Sequence, residues 1–114
     1  MTDREALLAR YRELVLVGLP ARARAGNWVV TADHCFGRIV LDNAVGGCWY
    51  DVLGRRGGPA FTRLDDAQLA RAVGIAELVS TGGDDVLREL DARSLAWRGK
   101  PVRESAEPGR GRPA

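Results

Sequence analysis

The chain has 114 residues and a mass of 12.3 kDa, enough for one domain and too little for two. A hydrophobic fraction of 46% and a charged fraction of 28% exclude collagen-like, wholly disordered and disulfide-scaffold classes, and no apolar run approaches the roughly 20 residues of a membrane helix. The formal charge of +2 is uneven: residues 98–114 hold five basic and two acidic side chains, while the other 97 hold 12 basic and 13 acidic. The basic character therefore belongs to the tail, which argues against nucleic acid as the domain's partner. Arginine supplies 16 of the 17 basic residues, a bias expected of a GC-rich genome. Met1-Thr2-Asp3-Arg4-Glu5 is polar, with no apolar signal segment behind it, so a soluble cytoplasmic protein is expected.

Thr2 followed by Glu5 is a capping-box pattern, and Leu7, Leu8, Tyr11, Leu14 and Val15 recur behind it at helical spacing. Gly18 and Pro20 are expected to stop that helix, leaving Pro20 to Ala25 as one short turn before Gly26. Asn27 to Val30 reads as an extended connector. Thr31 is the expected N-cap of a helix over about Ala32 to Ala44, with Asp33 in its first turn. On that helix Cys35, Phe36, Ile39, Val40 and Asn43 share one face, and His34, Arg38, Leu41, Asp42 and Val45 the opposite flank. Cys48 to Leu53 suits a short helix, and Gly54 to Pro59 a mobile loop. Asp65 with Gln68 is a second capping pattern, opening a helix of about 14 residues by the spacing of its apolar positions, up to Gly82-Gly83. Asp84 or Asp85 starts a last helix reaching about Trp97. From Pro101 the chain is polar and proline-rich, and disorder is expected. The resulting fold class is all-α: an irregular antiparallel bundle of four main helices with one or two short turns, a single domain over 1–100 and a basic tail over 101–114.

The densest chemistry lies in the second main helix. His34, Arg38 and Asp42 stand at i, i+4 and i+8 and stack along one stripe. Arg38 and Asp42 are spaced to pair. Facing a pocket, such a column lets the carboxylate orient the guanidinium towards a small anionic ligand, with His34 as acid or base. His34, Arg38 and Asp42 are thus the candidate catalytic residues, and Asn43, Trp49 and Tyr50 the candidate ligand-binding ones. A solvated helix face is the plainer account of Arg38 and Asp42. Gly37 is unfavourable inside a helix and marks the close approach of a backbone or a ligand. Trp49 is expected in the core, Tyr50 between core and site, and Trp28 and Trp97 in core or cap positions. Cys35 reads as a small core residue. With Cys48 and His34 it makes three soft ligands but no fourth, so no metal or other cofactor is expected.

The run Arg71-Ala72-Val73-Gly74-Ile75-Ala76 matches the R-x-x-G-x-A string of acetyl-CoA-binding N-acetyltransferases. There the string meets a pyrophosphate with free backbone amides at a helix start. Here it lies inside a continuous helical pattern, where those amides are already bonded.

His34-Cys35-Phe36, Arg38-Ile39-Val40-Leu41-Asp42-Asn43, Gly46-Gly47, Trp49-Tyr50-Asp51 and Leu95-Ala96-Trp97-Arg98-Gly99-Lys100 together resemble a set of small uncharacterised bacterial helical proteins, some carrying an acetyltransferase label. The resemblance covers most of residues 1–100 and implies no established chemistry. Three functions remain: an interaction or accessory protein binding a partner protein or itself, a small enzyme or ligand-binding protein at the His34 column, and a helix-turn-helix DNA binder pivoting at Gly82-Gly83. The last helix places Asp85, Glu89 and Asp91 beside Arg88 and Arg93, a poor face for a polyanion.

Overall fold

The first helix begins where a side chain can bond the first free amides. Thr2 Oγ1 accepts from Glu5 N at 3.0 Å, and Glu5 Oε1 accepts from Thr2 N at 3.1 Å, closing the expected box at the start of α1 (Asp3–Tyr11). The Thr2 backbone N–H, with its hydroxyl, holds the Glu5 carboxyl below its ordinary value. The structure, a computed structural model, describes residues 2–101. The expected tail lies outside the described residues apart from Pro101.

Gly18 and Pro20 do not stop the first helix. Arg12–Gly18 widens into a π-helical stretch, in which Leu19 N reaches back to Leu14 O, and α2 (Leu19–Gly26) continues from it. Pro20 is carried inside this unbroken segment, two residues after the π-helical stretch ends at Gly18. The run ends at Asn27, whose backbone is left-handed at φ 55°. The connector expected over Asn27 to Val30 runs on to residue 32, tied down by Val29 N donating to Asp84 Oδ1 at 2.8 Å.

The second main helix, α3 (Asp33–Val45), has Ala32 rather than Thr31 as its N-cap. Asp33 Oδ1 takes the adjacent amide instead, accepting from His34 N at 2.8 Å. α4 (Trp49–Leu53) is short, and Arg63 binds its end: Nη1 donates to Leu53 O at 2.8 Å and Nη2 to Gly54 O at 3.2 Å. Arg63 lies on a 3₁₀ turn, Ala60–Arg63, that nothing in the sequence pattern announces. α5 (Asp66–Gly82) carries the Asp65–Gln68 box and runs 17 residues, longer than its apolar spacing implied. Arg71 sits inside α5, and its Nη1 donates to Ala44 O at 2.6 Å at the end of α3. The R-x-x-G-x-A string is therefore interior helix, with no free amides to offer a phosphate.

Between α5 and α6 (Asp84–Trp97) the two glycines have separate reasons. A Cβ on Gly82 would run into Val86, and Gly83 has φ 71° with ψ −152°, a backbone that side chains avoid. The fold is all-α: the described residues form four long helical segments over 3–26, 33–45, 66–82 and 84–97, with α4 and the 3₁₀ turn between the second and third.

α3 is the central element, packed against the π-helical stretch, α5 and α6. Phe36, Ile39, Val40 and Ala44 are fully buried, among Tyr11, Val15 and Leu19 from the first segment and Leu69, Ala72, Ala76 and Val79 from α5. Each large apolar side chain so buried contributes about 1.5–3 kcal/mol before the entropy of ordering it. Burial extends to the expected polar flank, because α6 covers it: Leu41 and Asp42 are buried too. Cys35 is only half-buried, and Trp97 is 42% exposed rather than part of the core.

Candidate functional site

α6 and its C-cap Arg98 present a polar column of their own, Asp91, Ser94 and Arg98 at i, i+3 and i+7, which meets the column of α3. The two interlock. Arg38 Nη2 donates to Asp91 Oδ1 at 2.6 Å and Nη1 to Ser94 Oγ at 2.7 Å. Arg98 grips Asp42 with two donors, Nε to Oδ2 at 2.7 Å and Nη2 to Oδ1 at 3.0 Å. Ser94 Oγ donates to Asp42 Oδ2 at 2.6 Å, and Trp49 N to Asp42 Oδ1 at 2.9 Å. Asp42 is 0% exposed and accepts four hydrogen bonds, which a buried carboxylate needs to stay ionised. The expected Arg38–Asp42 pair does not form. Each of the two turns instead to an opposite charge on α6, because a helix packed alongside offers better-desolvated partners than a neighbour on the same helix. The hydrogen bond to Asp42 raises the Arg98 pKa, so the guanidinium is charged throughout.

Asn43 and Tyr50 belong to this seam. Asn43 Nδ2 donates to Leu90 O at 3.0 Å and to Ile39 O at 2.8 Å, fastening α6 to α3. Tyr50 Oη accepts from Arg98 Nη1 at 3.1 Å, and the Arg55 guanidinium lies 4.1 Å from its ring centroid. A hydrogen bond with Cys48 is the main reason the Tyr50 phenol titrates above its ordinary value, against the pull of Arg98 and Arg55.

On the other side of Arg38 lies an open cleft of about 410 Å³ between the first helical segment, α3, α4 and the 3₁₀ turn. His34, Arg38 and Trp49 all line it, so three of the six sequence candidates converge there. Asp42, Asn43 and Tyr50 do not. The His34 side chain is 83% exposed at the rim, with Nδ1 4.0 Å from Asp33 Oδ1. Trp49 is half-buried, packed against the core on one side and edge-on to Tyr50. Among the lining residues outside the candidates are Tyr11 and Phe61, whose rings stack with centroids 4.6 Å apart. Tyr11 reads in sequence as one more member of an apolar stripe, and Phe61 sits in a turn without a pattern.

Arg38 also borders a second cavity of about 340 Å³, with Cys35, Leu95, Arg98, Lys100 and Pro101. Cys35 and His34 thus open onto different spaces, and no nucleophile–base pair forms. Among the described residues no three His, Cys, Asp or Glu side chains gather into a metal-binding group. Compared with protein-family models, curated proteins and solved structures, the chain matches none.

Proposed function

We propose that this chain acts by binding, as a small helical interaction or accessory protein whose partner is another protein or a second copy of itself. The supporting observation is the interlocked seam: Arg38 and Asp42, the charged pair of the α3 column, are both neutralised by α6. Asp42, fully buried and bonded on both oxygens, is not free to move protons without unmaking the core, and Arg38 is held to Asp91 and Ser94. Beside the cleft, Leu16 is 40% and Val17 66% exposed, adjacent apolar side chains that a partner would cover. The test is sedimentation equilibrium of the wild type and of Val17→Glu, together with affinity capture from the host. The expected result is self-association, or a retained partner, that Val17→Glu abolishes. A monomer at every concentration, with no partner sensitive to Val17→Glu, overturns the reading.

A second reading is a ligand-binding or small catalytic protein. It is favoured by the convergence of His34, Arg38 and Trp49 on one cleft. If His34→Ala and Arg38→Gln together leave binding and every host phenotype intact, that reading fails.

A further inference from the structure

Gly37 lies in the middle of α3, where it costs up to about 1 kcal/mol relative to alanine. Neither backbone strain nor crowding accounts for it. A Cβ built there would meet only the Tyr11 hydroxyl, at 4.0 Å. The space over Gly37 is the cleft itself. Tyr11, 1% exposed, lines the same cleft, and among the described residues its hydroxyl has no hydrogen-bond partner. Among the described residues the one buried side-chain polar atom without a partner is Arg63 Nε, so the Tyr11 oxygen itself reaches the open space of the cleft and is free to donate there. A helical glycine that keeps space open and an unpartnered phenol beside it are independent features with one common explanation.

We infer that the Tyr11–Gly37 floor of the cleft is a subsite for a small, flat, uncharged apolar group carrying one oxygen acceptor, which takes its hydrogen bond from the Tyr11 hydroxyl. This rests on the ligand-binding reading of the cleft and gives that reading its chemistry. The walls fit a flat group: Phe61 stacks on Tyr11, and Trp49 faces the same space. A volume of about 410 Å³ suits a small ligand. The charges fit a neutral one. Arg38 is already bonded to Asp91 and Asp33 stands at the rim, so a carboxylate at the floor would meet a committed guanidinium and one like charge, while the Arg12 guanidinium lies over the Phe61 ring, 5.3 Å from its centroid. Burial pushes the Tyr11 phenol above its ordinary pKa, which keeps it a donor.

The experiment titrates the full chain with acetophenone, with ethylbenzene, which has similar shape without the acceptor, and with benzoate, followed by amide and methyl NMR shifts around Gly37. Acetophenone is expected to bind more tightly than ethylbenzene, with shifts at Gly37 and Phe61. Tyr11→Phe keeps the stacked ring and is expected to weaken acetophenone about fivefold while leaving ethylbenzene unchanged. Gly37→Ala is expected to raise the melting temperature and to weaken both probes. Equal affinity for acetophenone in the wild type and Tyr11→Phe, or no binding by any probe, overturns the subsite. Binding of benzoate alone, sensitive to Arg38→Gln and indifferent to Tyr11→Phe, overturns the subsite and leaves the ligand-binding reading standing.

Discussion

The two sides of Arg38 handle polarity in opposite ways. Towards α6, carboxylates and guanidinium groups close on one another across the seam, and Asp42 accepts four hydrogen bonds. Towards the 3₁₀ turn, the Tyr11 hydroxyl faces a cleft and bonds to no described residue. Both residues are almost fully buried, Asp42 at 0% and Tyr11 at 1% exposure, but the Tyr11 oxygen opens onto the cleft. The difference shows why burial of charge alone is a poor guide to a site. A reciprocally bonded network specifies how two helices register, whereas an incompletely bonded group beside open space has capacity left for something else.

The sharpest way to break this comparison is Asp42→Ala. It leaves Arg98, 10% exposed at its side chain, without its carboxylate, and is expected to cost about 3–5 kcal/mol in chemical denaturation. An unchanged unfolding midpoint would show that the seam is not structural. Ser94→Ala removes the hydroxyl shared by Asp42 and Arg38, and a loss of about 1–3 kcal/mol is expected by the same assay. Tyr11→Phe probes the other side through pH. Burial raises the folded phenol's pKa above the unfolded value of about 10, so the folded state resists deprotonation. That contribution to stability is complete below about pH 10 and falls as pH rises beyond it, by at most about 1.4 kcal/mol per pH unit. The wild type is therefore expected to lose more stability than Tyr11→Phe in denaturation melts above that pH, and parallel losses would contradict the placement of Tyr11. His34→Ala is the smallest effect. The side chain is 83% exposed, and a stability change within about 0.5 kcal/mol is expected.

What could be read from the sequence was local. The boxes at Thr2–Glu5 and Asp65–Gln68 join residues three apart, and both formed. The α3 helix and its column were legible from spacing. The direction of that column's charges was not, because Asp42 meets Arg98 across 56 residues, and Arg98 reads as the beginning of a basic tail. Asp91 and Ser94 read as an ordinary polar face until another helix is laid against them. Proline and glycine punctuation misled at Gly18 and Pro20, where a π-helical stretch carried the chain through. The arginine bias also has a structural side that composition does not reveal. Arg4, Arg22, Arg63 and Arg71 each donate to backbone carbonyls of another segment, Arg22 to Ser80 O among them, closing helix ends and turns.

The grip of Arg98 on Asp42 also bears on when this protein can fold. While the ribosome is still making α5, the guanidinium that compensates Asp42 has not been synthesised, and withdrawing that carboxylate from water alone would cost several kcal/mol. α3 must then keep one side wet until the last turn of α6 emerges, so the nascent chain is expected to close its core in a single late event.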